Sequence, residues 1–296
     1  MSIIQSCGAF PSVSGLADIY VRNYIPQQTE RLKGIVQIAH GMAEHSRRYA
    51  RFAEFLCQHG YVVVINDHLG HGKSVLSRDK LGFFGDGDGV RSLVEDMHHL
   101  SLLARERFPD LPLFLFGHSM GSLLARSYAA QYGEQLSGAI FCATSGPNPA
   151  AKPGFCLACA VGRVKGAMHR SPLIDRIAFG GFNQKIPGAK TKFDWLSSDG
   201  EVVTAYVDDP LCGFLFTAAG YRDLFRLLMS VSATEWFEQV PKDLPLLFVS
   251  GQDDPVGDYG KGVEKVFDTL KSQGQEHVER KFYPHCRHEI LNETSK

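Results

Sequence analysis

The 296-residue chain lacks the features that mark membrane-spanning, secreted and nucleic-acid-binding proteins. No apolar run approaches the roughly 18 residues that a bilayer span requires. The N-terminus, MSIIQSCGAF, has neither the basic region nor the long apolar region of a secretory signal. The 31 lysines and arginines are spread evenly and balanced by 32 acidic residues, so no nucleic-acid partner is predicted.

Cysteine and histidine patterns typical of disulfides or metal sites are also missing. The seven cysteines show no disulfide-like spacing, so we expect reduced thiols and a cytoplasmic location. Cys156 and Cys159 form a C-x-x-C pair, but no second ligand pair accompanies it. The histidine pairs His68/His71 and His98/His99 have no carboxylate or cysteine partner in the sequence. We therefore predict neither a metal nor a cofactor.

What the chain does contain is a short buried strand that turns sharply into a helix. Residues 113–116 read LFLF, the sequence GHSMG follows at 117–121, and apolar residues then recur at helical spacing. Such a tight turn strains the backbone of Ser119, and side chains at Gly117 and Gly121 would collide with the neighbouring strand and helix. This is the pattern of a nucleophilic serine. The alternative, a serine that only caps the helix, would need neither glycine.

The order of the predicted elements indicates an α/β protein with a mostly parallel central sheet flanked by helices. Buried strands and helices alternate over residues 34–143, and strands are predicted again at 246–250 and 278–283. Between them, residues 144–231 are rich in glycine, proline and aromatic residues, with short helices predicted only at 158–168 and 224–232. We interpret residues 144–231 as an inserted cap, and residues 1–143 and 232–296 as the core.

Apolar residues of the predicted cap have two alternative roles, since they can line a lipophilic pocket or form the cap's own small core. They are Phe155, Leu157, Val161, Met168, Phe179, Phe182, Leu211, Phe214 and Phe216.

A serine hydroxyl needs a base, and the base needs an orienting acid. In a sheet of this order the acid and then the base should follow later strands. Asp253 and Asp254 follow one strand, and we prefer Asp254 because it precedes the conformationally restricted Pro255. His285 and His288 follow the last strand, and this reasoning leaves both open as the base.

Backbone amides must also stabilise the oxyanion that forms during attack. One donor should be Met120, directly after the serine at a helix N-terminus. The other should lie in the turn after the strand at residues 34–40, where Met42 is the expected donor.

These motifs together resemble the monoacylglycerol lipase and lysophospholipase group of serine α/β-hydrolases. The resemblance spans nearly the whole chain, and its motifs occur in the family's order. They are HGMAEHSRRY at 40–49, DHLGHGKS at 67–74, GHSMGS at 117–122, SGQDDPVG at 250–257 and RHEILNE at 287–293.

The resemblance implies the α/β-hydrolase fold with an inserted cap, and it assigns each site residue. Ser119 is the implied nucleophile, Asp254 the acid and His288 the base, with Met42 and Met120 as oxyanion donors. Glu44 and Arg48 match family residues that contact a glycerol head group.

Three features of the chain depart from the family. Leu291 replaces a histidine that contacts glycerol in some members, and His285 stands where the family has glycine. The family's last helix has little counterpart after Glu293, which is expected if the chain is truncated or if the fold ends early.

We expect a serine hydrolase that cleaves carboxylic esters of lipophilic acyl chains, with monoacylglycerol or lysophospholipid as substrate. The same residues would serve a small-ester esterase, a thioesterase or a peptidase, and a non-catalytic ligand-binding protein is the rival from another class. The expected partners are a small lipid-like ester and, transiently, a membrane or micelle that the cap contacts. The sequence does not predict an oligomeric state.

Overall fold

A computed structural model describes residues 2–28 and 32–293 of the chain. In these residues one sheet of eight strands has the order β1-β2-β4-β3-β5-β6-β7-β8. The strands are β1 Ile3–Pro11, β2 Asp18–Pro26, β3 Gly34–Ala39, β4 Tyr61–Asn66, β5 Leu113–His118, β6 Gly138–Cys142, β7 Leu246–Gly251 and β8 Val278–Tyr283.

The six strands from β3 to β8 run parallel, and β2 pairs antiparallel with both β1 and β4. Their carboxyl ends therefore meet at one edge of the sheet. Loops that follow β3, β5, β7 and β8 converge at that edge, which is where ligands bind in sheets of this kind.

Nine α-helices lie in the described part of the chain. They are α1 Ala50–Gln58, α2 Gly89–Arg107, α3 Met120–Tyr132, α4 Ala151–Lys165, α5 Pro172–Phe179, α6 Gly200–Asp208, α7 Ala218–Ser230, α8 Thr234–Gln239 and α9 Lys261–Ser272.

Alternate residues of the central strands enter two separate hydrophobic clusters. Val62 and Val64 of β4 belong to the cluster that includes α2 and α3, whereas Val63 and Ile65 belong to the cluster that includes Ala53 of α1. A strand buried on both faces needs apolar residues at every position, and this is the pattern that predicted a parallel sheet.

The predicted elements of the core are largely confirmed. Strand β8 has the predicted bounds, and β3, β5 and β7 differ from theirs by one or two residues at an end. Strand β1 was not predicted: six of its nine residues in a row, from Ile4 to Ala9, are exposed, so it carries no alternation of apolar and polar residues.

Residues 144–231 contain four helices rather than the two predicted. The two predicted helices correspond to α4 and α7, which begin earlier, while α5 and α6 were not predicted. Both missed helices are short, at eight and nine residues, and glycine- and proline-rich stretches flank them.

Arg126 of α3 holds the two ends of residues 144–231 together. Its guanidinium donates to the carbonyl oxygen of Ser145 at 2.8 Å and to the carbonyl oxygen of Val231. It also lies 4.3 Å from the centre of the Trp236 ring. The stretch therefore leaves and rejoins the core beside the helix that follows Ser119.

Among the helices of residues 2–28 and 32–293, none combines the length and the apolar composition that a membrane span requires.

Candidate active site

The turn between β5 and α3 has the strained geometry that the GHSMG sequence predicted. Ser119 has φ 53° and ψ −121°, a conformation that side-chain-bearing residues seldom adopt. A Cβ on Gly117 would lie 2.3 Å from the carbonyl oxygen of Gly121, and a Cβ on Gly121 would lie 2.1 Å from that of Ala39. Both glycines are therefore required by packing.

Ser119 precedes α3 directly, but its side chain makes no capping hydrogen bond to that helix. The backbone of Ser119 is held instead, since its amide donates to the carbonyl oxygen of Cys142 at 3.0 Å. The capping alternative is thus not what the structure shows, and the Ser119 hydroxyl is left to face a cavity.

Asp254 and His288 form a buried pair. The Nδ1 atom of His288 lies 3.0 Å from both carboxylate oxygens of Asp254, and the two side chains are almost completely buried. Their competitors, Asp253 and His285, are both exposed. Because Asp254 occupies Nδ1, the other ring nitrogen of His288 is left to act on a group in the cavity.

A cavity of about 780 Å³ brings Ser119 and His288 together. Its lining includes apolar residues of both the core and the inserted stretch, among them Leu123, Ile177, Phe179, Phe182, Phe214, Leu224, Phe225 and Leu228. Trp195 packs against His288, with ring centres 4.9 Å apart.

Of the nine apolar residues expected at the pocket or in the cap's own core, three line the cavity: Phe179, Phe182 and Phe214. The other six do not line it within the described residues. Phe216, for example, is fully buried and packs edge-to-face against Phe84 at 5.1 Å. Helical periodicity could not separate the two groups, because Phe182, Phe214 and Phe216 lie outside the helices.

The turn after β3 is fixed by a buried histidine. His40 Nδ1 donates to the carbonyl oxygen of Gly41 at 2.8 Å, and His40 Nε2 accepts from the amide of His68 at 2.9 Å. The next residues, Met42 and Ala43, line the cavity together with Met120. Ala43 has φ 50°, so the turn is strained beside the nucleophile.

Glu44 is buried and binds four groups around this turn. Its carboxylate accepts from the Gly41 amide at 2.5 Å, the Tyr49 hydroxyl at 2.8 Å and the Arg48 guanidinium at 2.7 Å, and it lies 3.4 Å from His118 Nδ1. Burial alone would raise the pKa of Glu44, but the hydrogen bond from His118 and the charge of Arg48 outweigh it and hold the pKa well below its ordinary value.

Arg48 lines a second, smaller cavity of about 190 Å³ rather than the one that contains Ser119. Leu291, the position of the family's glycerol-contacting histidine, lines the same smaller cavity. Glu44, His118 and Glu289 line both cavities and so form the wall between them. The glycerol contact expected of Glu44 and Arg48 therefore stays a prediction.

One group of side chains in the described residues could hold a metal ion. Ligand atoms of His45, Asp209 and Cys212 lie within 4.8 Å of one another, and His45 Nε2 is 3.0 Å from Asp209 Oδ2. No local sequence motif marks this group, since 164 residues separate His45 from Asp209. Cys156 and Cys159 lie on the outer part of α4, with Cys156 exposed.

Three buried histidines lie together behind the turn. The rings of His40 and His68 are 4.2 Å apart, and those of His40 and His71 are 5.2 Å apart. Burial lowers the pKa of His68 to about 3 and that of His71 to about 4, and burial together with the charges of the other two lowers that of His40.

These histidines should make the protein acid-sensitive. Their pKa values in the folded protein lie below the unfolded value. Their contribution to the stability of the fold is therefore fully present above about pH 6.5 and is lost as the pH falls towards 4. We expect a loss of about 2 kcal/mol per histidine in the free energy of unfolding between pH 7.5 and pH 5. Urea unfolding at both pH values measures it. His68→Gln should reduce the loss and the exposed His285→Gln should not, whereas equal stability at both pH values would contradict the prediction.

A strained serine after β5 and a buried Asp–His pair after β7 and β8, in a mostly parallel sheet, are the features of a serine α/β-hydrolase. Comparison with known proteins agrees. Residues 30–295 match the Hydrolase_4 family, described as serine aminopeptidase, S33.

Individual relatives are similar over nearly their whole length. A monoacylglycerol lipase of Mycolicibacterium smegmatis is 31% identical, the match covering 100% of this chain and 94% of the relative. The human monoglyceride lipase is 27% identical, with 94% and 85% covered. The solved structure of a thermostable carboxyl esterase from Bacillus coagulans, in complex with glycerol, is 36% identical and superimposes with a TM-score of 0.90, covering 99% of this chain and 93% of that one.

The chain therefore belongs to the Hydrolase_4 family, as the resemblance in its motifs indicated. It has the α/β-hydrolase fold and is an enzyme of the serine ester hydrolase class.

Proposed function

We propose that Ser119, His288 and Asp254 are the catalytic residues and that the enzyme cleaves esters of lipophilic acyl chains. Ser119 Oγ attacks the acyl carbon while His288 takes its proton and then passes it to the leaving alcohol. Asp254 holds the imidazole and balances its charge. The acyl-enzyme is then hydrolysed by a water molecule that His288 activates, which releases the acid and restores Ser119.

The amides of Met42 and Met120 are proposed to stabilise the oxyanion. Met120 is the first residue of α3, so its amide has no partner within the helix. The Gly41 amide is already bound to Glu44, which leaves that of Met42 as the next donor in the turn. Within residues 2–28 and 32–293, neither amide donates to a protein acceptor.

One observation carries the choice of substrate: the cavity of about 780 Å³ beside Ser119 has a largely apolar lining. A cavity of this size suits an acyl chain more than an acetyl group. Relatives named monoacylglycerol lipase support monoacylglycerol as the substrate, with lysophospholipid as the alternative head group.

We also propose that residues 144–231 form a cap over a core of residues 1–143 and 232–296. The hydrogen bonds from Arg126 to the carbonyl oxygens of Ser145 and Val231 support these boundaries.

Val164, Leu173 and Ile177 are exposed on α4 and α5, and Ile177 also lines the cavity. These residues support transient membrane contact through the cap, which co-sedimentation with phosphatidylcholine vesicles would detect. A cytoplasmic location stays a prediction that cell fractionation can test.

The test combines a fluorophosphonate probe with p-nitrophenyl esters from acetyl to palmitoyl. We expect labelling at Ser119 and a kcat/KM that is higher for medium or long chains than for acetyl. Leu224→Trp should narrow the cavity and reduce turnover of long chains while sparing acetyl. Val207→Trp, at an exposed apolar position outside the cavity lining, is the matched control.

Several outcomes would overturn the proposal. Turnover of acetyl or butyryl esters alone would indicate a small-ester esterase, and faster cleavage of aminoacyl p-nitroanilides would indicate a peptidase. Absence of labelling would indicate a binding protein. Monoacylglycerol and lysophospholipid of matched chain length, compared by fatty-acid release, then identify the head group.

A further inference from the structure

Glu289, the residue that directly follows His288, is buried and makes a paired salt bridge across the site. Its two carboxylate oxygens accept from the two terminal nitrogens of Arg48 at 2.6 Å and 2.8 Å. Its backbone amide donates to the carbonyl oxygen of Leu196 at 2.7 Å. Both the side chain and the main chain of this residue are thus anchored, next to the proposed base.

Arg48 links Glu289 to the turn that carries Met42. The same Arg48 nitrogen that binds Glu289 also binds Glu44 at 2.7 Å, and Glu44 in turn accepts from the Gly41 amide at 2.5 Å. Burial alone would lower the pKa of Arg48, but the charges of Glu289 and Glu44 raise it, so the guanidinium stays charged. Three charged groups therefore connect the base loop to the oxyanion turn.

His118 links Glu44 back to the His288 loop and so closes the network that Glu289, Arg48 and Glu44 form. Its Nδ1 lies 3.4 Å from Glu44, and its Nε2 lies 3.3 Å from the carbonyl oxygen of His288. Burial would lower the pKa of His118, but the hydrogen bond and charge of Glu44 prevail and raise it. His118 also precedes Ser119, so the network of Glu289, Arg48, Glu44 and His118 adjoins the nucleophile, the base and the oxyanion turn.

We propose that Glu289 is a positioning residue that holds the His288 loop and the oxyanion turn in their reactive arrangement through Arg48 and Glu44. This inference depends on the proposed roles of Ser119, His288 and Met42. Arg48 is thereby occupied by two carboxylates, and its task is to tie two loops together rather than to bind the leaving alcohol.

The expected consequence is a loss of rate with little loss of substrate affinity. Misplacement of reacting groups by about 1 Å can cost about 100-fold in rate, and removal of one carboxylate leaves a buried arginine only partly compensated. Glu44, His118 and Glu289 line the acyl cavity, but other residues supply its apolar surface, so KM should change little. Stabilisation of the oxyanion, which depends on the Met42 amide, should weaken together with kcat.

The experiment compares Glu289→Gln with Asn292→Ala on p-nitrophenyl octanoate, with rates expressed per serine titrated by the fluorophosphonate. Asn292 donates to the same Glu289 carboxylate at 2.9 Å but does not extend to the turn, so it is the matched control. We expect Glu289→Gln to lower kcat about 30- to 100-fold and to weaken a trifluoromethyl ketone inhibitor by a similar factor, with KM changed less than about threefold. Asn292→Ala should stay within about threefold of the wild type.

The Arg48→Lys variant distinguishes a role of Arg48 in connecting the two loops from a role in binding the leaving alcohol. Lysine keeps the charge but loses the paired geometry. We expect the same fractional loss on p-nitrophenyl octanoate and on monooctanoylglycerol, and a Glu289→Gln/Arg48→Lys double variant little worse than either single variant. Loss on the glycerol ester alone would overturn the inference, because the nitrophenyl group has no glycerol hydroxyl to bind.

A wild-type rate per titrated serine in Glu289→Gln would also overturn the inference, even if the variant melted at a lower temperature. So would a kcat loss without weaker inhibitor binding. Failure of the proposed function is distinguishable, since it would appear as an unlabelled, inactive wild-type enzyme.

Discussion

Ser119→Ala is expected to lower kcat for p-nitrophenyl octanoate by about 10⁴- to 10⁶-fold, the range that loss of a catalytic serine causes in triad enzymes. The alanine leaves the oxyanion donors and the cavity in place but removes the atom that forms the acyl-enzyme. Because the Ser119 side chain makes no capping hydrogen bond, the variant should melt at nearly the wild-type temperature.

The measurement is steady-state hydrolysis with fluorophosphonate labelling of the same samples. Ser127→Ala is the matched control, since Ser127 lies on the same helix and its hydroxyl accepts from the side chain of Gln131. It should keep both labelling and rate. If Ser119→Ala hydrolysed the ester at more than about a tenth of the wild-type rate, the assigned nucleophile would be wrong.

Asp254→Asn should have the second-largest effect, a fall of about 10³- to 10⁴-fold in kcat. Both oxygens of Asp254 face His288 Nδ1 at 3.0 Å, and Oδ1 also accepts from the Val256 amide at 2.9 Å. An asparagine cannot balance the imidazolium that forms during attack, and its amide favours the tautomer of His288 that cannot take a proton from Ser119.

Asp253→Asn is the natural control for this substitution. The neighbouring carboxylate is exposed, whereas that of Asp254 is completely buried. The control should therefore retain activity within about threefold of the wild type, the scale of an ordinary surface change. The assay is kcat for the octanoate ester, with melting temperatures to exclude unfolding. Comparable losses in the two variants would refute the assignment of Asp254 as the acid.

Sequence reasoning succeeded where a local pattern carried the structural information. The turn at Ser119 was predictable because the glycines, the buried strand before them and the helix after them lie within about 15 residues. Strand β8 was predictable because turn-forming residues bound it at both ends. Strand β1 was missed since its residues are mostly exposed, and exposure leaves no hydrophobic period to detect.

The choices that sequence left open depend on burial, which neighbouring residues do not reveal. His285 and His288 are chemically identical, and only the fold buries one of them. The role of Glu289 could not be predicted at all, because its partner Arg48 lies 241 residues away in the chain. An acidic residue directly after a candidate base would be the signal to seek in similar sequences.

Because Arg126 binds both Ser145 and Val231, residues 144–231 form a segment that could be exchanged as a unit. Its two junctions meet at one buried side chain, so the stretch is a loop whose ends are already closed, and its length adds little to the entropy of folding the core. The sheet and the serine turn would stay unchanged in such an exchange, because both junctions of the segment lie at Arg126.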